Sequence, residues 1–344
     1  MKKILPNWCG IFLLSALTLA GCDKEEEVDP TIASIAVSNP DFQVLEDAAI
    51  RGGVAGVLSN KNPNDPTAQG NFTVFAPNNA AFARLGLNSA ADLLNLQKNF
   101  LTNTLLYHVA NGTIAGGSLQ MGSTSASALV IPAVPATATT PATPAIPITR
   151  RIIRRGGDSY VNGSRILTTD VLADNGTIHV IDKVLLATGG NVVQSAQALE
   201  SSSVFTSPEL TFLVEAVKYC GLVSLLSDTQ GLTVFAPTDQ AFKNLGADLG
   251  VPLNVPADIR KLPKDVVTAV LATHVLATGA KFTPELPDNT TVSSFGGAPL
   301  QLGVFSNGVL TVKGANNATP ANMVIPDVQA TNGIVHVIDR VLRP

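Results

Sequence analysis

The chain has 344 residues, of which 45% are hydrophobic and 14% charged, with a formal net charge of −4. That length accommodates two ordinary cores, since one core serves roughly 100–200 residues. The composition excludes a disordered polyelectrolyte, and mild acidity without a long basic run excludes nucleic-acid binding.

Lys2 and Lys3 precede an apolar stretch that is densest from Ile11 to Ala20. Pro6, Asn7 and Gly10 interrupt it, and it is too short for a membrane span. It ends in Leu19-Ala20-Gly21-Cys22, which resembles the lipobox of bacterial lipoproteins. That resemblance implies a signal peptide over residues 1–22, cut before Cys22, and acylation of Cys22 itself. Several acyl chains on one cysteine give stable membrane anchoring where a single chain does not. Residues 23–29 form a charged tether. Its Lys24 followed by Glu25, Glu26 and Glu27 resembles an export tag of bacterial lipoproteins. The expectation is an outer-membrane lipoprotein at the cell surface, with the periplasmic face as the alternative. After cleavage only Cys22 and Cys220 remain, so no internal disulfide is available and the cores must hold the domains. Cys220 reads as a small buried hydrophobe.

From residue 30 onward the chain contains two copies of one unit, expected over 30–188 and 189–344. Thr73-Val74-Phe75-Ala76-Pro77 recurs as Thr233-Val234-Phe235-Ala236-Pro237, and Ala81-Phe82 recurs as Ala241-Phe242. Asn175-Gly176 with His179-Val180-Ile181-Asp182 recurs as Asn332-Gly333 with His336-Val337-Ile338-Asp339. A repeat this long means two folded domains rather than a solenoid.

Each copy opens with helical periodicity, at Phe42, Leu45 and Ala49 and along Phe212, Leu213, Ala216, Val217 and Cys220. Gly52-Gly53 and Gly221 are suited to stop these helices. A strand follows at 72–76 and 232–236, ended by Pro77 and Pro237. Asn78 and Thr238 are the expected N-caps of the next helix. One further helix is expected to carry Leu93, Leu96, Phe100, Leu101 and Leu105, with its counterpart at 264–274. The rest of each copy reads as β. Asn162-Gly163 and Asn307-Gly308 mark hairpins between apolar runs. Asn175-Gly176 and Asn332-Gly333 mark further turns before final strands at 177–186 and 334–342. Helices first and an antiparallel sheet after give an α+β class.

The copies differ at 131–149, where five prolines stand among alanine and threonine. This segment cannot pack as a helix and is expected to protrude as an extended loop. Arg150, Arg151, Arg154 and Arg155 follow it. They read either as a solvated strand edge, where charge discourages pairing, or as a docking patch for an acidic partner.

These elements together resemble the fasciclin family. The Thr73–Pro77 and Asn175–Asp182 elements, with their repeats, are similar to its two sequence blocks. The resemblance implies two tandem fasciclin-like domains, each an antiparallel β wedge or sandwich with packed α-helices, and a role in adhesion or matrix and cell-surface interaction. The family's Tyr-His motif falls on Tyr107-His108, and on Thr273-His274 in copy two, where the tyrosine is missing. Its Asp-Ile pair falls on Asp170-Val171 and Asp327-Val328. Those residues are the adhesion-motif candidates that the resemblance carries over.

All four histidines, His108, His179, His274 and His336, lie in repeated elements. In each copy the two histidines are far apart in sequence and no cysteine accompanies them. A structural role is favoured over a metal or catalytic one, and no metal or other cofactor is expected. Asp182 and Asp339 stand in apolar strands and are expected to tie the last strand to the core. The pairing expected from this is His108 with Asp182 and His274 with Asp339. No nucleophile elbow, phosphate-binding glycine loop or zinc-protease motif is present in the sequence. The leading reading is a non-enzymatic binding module that engages a protein or glycan partner, with the membrane reached through Cys22. An envelope or biofilm spacer and a hydrolase of surface material are the alternatives.

Overall fold

The computed structural model describes residues 29–133, 135, 142, 144–199 and 210–344. The signal segment, Cys22, most of the tether and part of the proline-rich insert lie outside the described residues. Among the described residues no helix is long and apolar enough to cross a membrane.

The first domain begins with α1 (Ile32–Ser38), α2 (Gln43–Gly52) and α3 (Ala55–Leu58), followed by β1 (Phe72–Pro77). Then come α4 (Asn79–Ala83), α5 (Ala90–Leu93), α6 (Lys98–His108) and β2 (Val109–Asn111). The second half is β3 (Thr124–Ile131), β4 (Ile146–Arg155), β5 (Asp158–Val161), β6 (Ser164–Ala173), β7 (Gly176–Ile181) and β8 (Leu186–Ala187). The second domain repeats the plan with α7 (Val192–Leu199), α8 (Thr211–Cys220), α9 (Val223–Asp228), β9 (Leu232–Pro237), α10 (Asp239–Leu249), α11 (Lys264–Thr273) and β10 (Val275–Leu276). It closes with β11 (Thr290–Ser293), β12 (Pro299–Leu302), β13 (Val312–Gly314), β14 (Met323–Gln329) and β15 (Gly333–Ile338).

The expected local signals do their work. Asn78 accepts from the Ala81 N–H, and Thr238 from the Ala241 N–H, as N-caps of α4 and α10. Gly53 and Gly221 follow α2 and α8 with φ of 74° and 73°, the left-handed region where only glycine is free of strain. Asn307 and Gly308 both have positive φ, 51° and 78°, as a two-residue hairpin turn requires. The helix expected to run from Leu93 to Leu105 is broken instead. Arg51 Nη2 donates to the carbonyls of Leu94 and Leu96, satisfying the chain where α5 stops and before α6 starts.

In the first domain the strands run β2-β1-β7-β6-β5-β4-β3. Most pairs are antiparallel, but β1 and β7 pair in parallel, as do β9 and β15. These strands lie a hundred residues apart in sequence, and the intervening helices and hairpins supply the crossover a parallel pair needs. One core in each domain lies between helices and sheet; a second fills the wedge of the sheet, around Phe75 and Tyr107 in the first domain and Phe235 and Leu276 in the second.

The final strands end at Ile181 and Ile338, earlier than expected, because ladder partners give way to side chains there: the Lys183 N–H donates to Ser164 Oγ. The described ends of the insert belong to β3 and β4, which pair with each other. Ile131 pairs with Ile146 and Val130 with Pro147, so the loop is shorter than 131–149. Cys220 is half-buried, not buried, with its thiol near the Lys264 carbonyl.

The repeated Asn-Gly turns do more than turn. Asn175 Oδ1 accepts from the Ile32 N–H at the start of α1, while its Nδ2 donates to the carbonyls of Leu58 and Asn60. Asn332 does the same for Val192, Leu226 and Thr229. Each asparagine therefore fastens the opening helices to the last hairpin. Gly176 follows because a Cβ there would meet the Phe72 carbonyl oxygen at 2.0 Å.

Candidate interaction surface and domain junction

Tyr107, His108 and His274 are core residues. This corrects their assignment to an adhesion surface, because a partner cannot reach them without opening the fold. His108 Nδ1 bonds the Thr104 carbonyl at 2.7 Å, and its Nε2 accepts from the Leu185 N–H at 2.8 Å. His274 repeats this with Val270 and Leu342. The bond acceptor role of Nε2 fixes a neutral imidazole with its proton on Nδ1. Burial pushes both pKa values down to about 4.

The expected His108–Asp182 and His274–Asp339 pairs are not what these histidines bond. Asp182 is half-buried; it accepts from the Arg165 N–H and forms an ion pair with Arg84. Asp339 accepts from the backbone and side chain of Asn322. Both carboxylates join the end of the last strand to the strand beside it. The histidine secures the chain a few residues further on, where it leaves the sheet. Neither His108 nor His274 has a nitrogen free to act as a base, and no cluster of metal-ligating side chains exists among the described residues.

His179 and His336 are also buried, each stacked near the phenylalanine of β1 or β9 with ring centroids 5.3 and 5.8 Å apart. Their Nδ1 atoms accept from the N–H groups of Asp170 and Asp327. Both aspartates occupy bulges in β6 and β14, with φ of 59° and 66°. A bulge re-aims its side chain, and aspartate tolerates the left-handed conformation that this demands. The histidine thus holds the aspartate from behind. In front, the carboxylate accepts from a backbone N–H, of Gly116 in the first domain and Thr283 in the second.

Beyond this shared frame the two sites diverge. Asp327 and its neighbour Val328 are buried between the domains. Asp327 Oδ2 receives Lys183 Nζ at 2.7 Å and Thr283 Oγ1 at 2.8 Å. Lys183 Nζ also donates to the Gly308 carbonyl. Burial pushes the Asp327 carboxyl up, but the Lys183 ammonium, His336 and the hydrogen bonds outweigh it and hold the pKa below the usual range. The carboxylate comes so close to the Asn162–Gly163 turn that a Cβ on Gly163 would lie 1.9 Å from Oδ2. Asp170, in contrast, is exposed and Val171 is half-buried. Beside them Leu172 is 74% exposed and Leu167 is 40% exposed.

The junction extends well beyond the ion pair. Tyr107 donates its hydroxyl to Gln329 Oε1, and Asn162 Nδ2 donates to the Tyr107 hydroxyl at 2.6 Å. Burial raises the Tyr107 pKa, so the phenol remains a donor. Ile153 and Tyr160 of the first domain pack with Phe282 and Ile334 of the second. β8 pairs in parallel with β14, so the last strand of the first domain belongs to the second domain's sheet.

Three of the four arginines are absorbed into the fold or the junction, while Arg154 is exposed and donates to the Leu119 carbonyl. Arg150 is buried, donating to the carbonyls of Tyr107 and Ala126 with its guanidinium 4.9 Å from the centre of the Phe75 ring. Burial brings its pKa down to about 10, so it remains charged at neutral pH. Arg151 pairs with Glu285 and lies over Phe282. Arg155 pairs with Asp288 and lies over Phe305. Sequence reasoning missed Lys183 and Thr283 altogether. The one available signal was a lysine directly after Asp182 in an apolar run.

The fasciclin-domain family model matches residues 40–187 and 208–344. The chain belongs to the fasciclin family, as a tandem of two such domains. Transforming growth factor-beta-induced protein ig-h3 of Sus scrofa is 28% identical over 276 residues, covering 80% of this chain and 35% of that protein. Periostin of Homo sapiens is 25% identical over 276 residues, covering 80% of this chain and 29% of that protein. The chain thus spans about a third of the length of these curated relatives. A solved FAS1 domain pair from the insect cell adhesion molecule Fasciclin I aligns over 88% of this chain at 17% identity, with a TM-score of 0.36.

Proposed function

We propose that this chain is a lipid-anchored extracytoplasmic binding protein, tethered through Cys22, that engages a protein or surface polymer through the Asp170–Val171 face of its first domain. The observation that carries this reading is the duplicated bulge. In the second domain the same frame captures a cation and seals an interface. In the first it stands open, with the Asp170 backbone N–H held by His179 and its carboxylate held by the Gly116 N–H, beside exposed leucines. A pre-positioned charge next to apolar surface suits a partner that brings a lysine or arginine on an apolar patch. Family membership supports an adhesive role over an enzymatic one, and the engaged nitrogens of His108 and His274 remove the two residues on which a hydrolase reading rested. The sealed junction also supports a second reading, a rigid spacer in the cell envelope without a dedicated ligand.

The test has two arms. An impermeant label applied to intact cells reports whether the domains face outward; labelling only after the envelope is opened would place them in the periplasm. The purified tandem, immobilised and exposed to solubilised cell-surface material, is expected to retain a partner that the Asp170→Asn variant retains at least tenfold less well. Equal retention by both proteins would remove Asp170 from the binding face. No retention at all by either would favour the spacer.

A further inference from the structure

Between α7, α8, α9 and α11 of the second domain, against β9 and β15, lies a cavity of about 260 Å³. Its lining is almost all carbon. The heteroatom-bearing side chains in its wall are Thr268 and His274, and both are already engaged. Thr268 Oγ1 donates to the Lys264 carbonyl, while His274 uses both ring nitrogens on Val270 and Leu342. Such a space offers no partner to water, and apolar cavities of this kind stay dry and take apolar guests. Two of its lining residues are strongly exposed, Leu225 at 47% and Phe295 at 56%, which places a mouth between them.

The first domain provides the internal comparison. The matching space there is about 80 Å³, although the same helices and strands enclose it. Two exchanges at equivalent positions give the second domain smaller side chains in its wall. Where the second domain has Ala272 in the cavity wall, the first has Leu106, packed against both of its cores. Where the second has Val335, the first has the bulkier Ile178. Ala272 and Val335 leave room at two places in the lining, and although Val217 and Leu222 are larger than Ala49 and Val54 at the matching positions, the space remains open. An unfilled space of this size in a core is destabilising, so a guest that fills it adds stability.

We propose that this cavity is a binding site for a single linear alkyl chain, with the guest's polar end at the mouth beside Leu225 and Phe295. The proposal is independent of the reading of Asp170. Scaling from a cavity of roughly 150 Å³ that holds benzene, the space suits a chain of about ten carbons. With no unspent polar group in the wall, nothing inside recognises a head group, so specificity is for length and shape.

The experiment uses the tandem protein with n-decanol and decanoate as probes, each kept below its solubility or micellar limit. Thermal unfolding and methyl-resolved NMR are the readouts. Saturable binding of decanol is expected, with a rise in Tm and methyl shifts confined to Leu271, Val335 and their neighbours. Binding of decanoate as well assigns free fatty acids to the site. Binding of decanol alone assigns neutral or esterified chains. Ala272→Leu, which restores the first domain's residue, is expected to raise Tm without ligand and to weaken decanol at least tenfold. Val335→Ile, a change of one methylene, is the milder variant should Ala272→Leu fold poorly; it is expected to weaken binding severalfold. Failure of decanol to bind the parent protein would overturn the proposal. So would undiminished binding in both variants, or methyl shifts confined to the first domain.

Discussion

Asp170 and Asp327 sit in matching bulges, held from behind by His179 and His336 and from the front by one backbone N–H. One is exposed and the other is buried. The repeat duplicates the local geometry, but it does not duplicate what arrives in front of it. Lys183 comes from the end of the first domain, and only the second domain's bulge lies where that ammonium can reach. The tandem therefore uses one copy of a duplicated device to join its halves and leaves the other copy free. The Tyr107 and Thr273 positions show the same division, since Tyr107 reaches across to Gln329 and a threonine at the matching place carries no comparable reach.

The sharpest way to break this comparison is to remove the cation. Lys183→Met leaves the Asp327 carboxylate buried without its counter-ion, which is expected to cost about 3–5 kcal/mol. Chemical denaturation of the tandem measures it. Pairing the change with Asp327→Asn, which removes the stranded charge, is expected to recover most of the loss. A loss below about 1 kcal/mol for the single variant would mean that the pair behaves as an exposed surface contact and that the junction opens in solution.

Acid tests what the two domains share. His108 and His274 are neutral and buried, with pKa values near 4 in place of an ordinary 6.5. The unfolded chain therefore binds more protons than the folded one between those values. Stability is fully present above about pH 6.5 and is lost as the pH falls toward 4, by about 2 kcal/mol per histidine at pH 5. Burial lowers His179 and His336 in the same direction. Urea unfolding at pH 7 and pH 5 checks the slope. Stability unchanged across that window would show that these imidazoles are not buried as neutral groups.

Much of this frame was legible in the sequence because it is local. The repeat gave two domains, and the strands at Thr73 and Thr233, the caps at Asn78 and Thr238 and the glycine stops followed from short-range rules. What the sequence did not disclose is long-range. A run of arginines reads as a charged edge until Phe75, Phe282 and Phe305 are brought beneath it from other elements. The parallel pairing of β1 with β7 and the partners of His108 depend likewise on residues far away in the chain. At the site, the resemblance located Asp170 and Asp327. The Asp-Val pair they share did not tell the exposed one from the buried one, because the cation that pairs with Asp327 is Lys183, 144 residues away.

The smallest effect is the most telling about the free bulge. Asp170→Asn keeps a side chain that tolerates positive φ and retains an oxygen for the Gly116 N–H. Because the carboxylate faces solvent with no cation bonded to it in the way that Lys183 is bonded to Asp327, stability is expected to change by no more than about 0.5 kcal/mol. The same exchange at Asp327 removes a charge from a buried pair and belongs with the large effects. Parallel denaturation of Asp170→Asn and Asp327→Asn measures the contrast directly. A loss above about 2 kcal/mol at Asp170 would mean that its charge is already committed within the fold, as large losses come from buried or networked groups, and a charge so committed is not available to a partner.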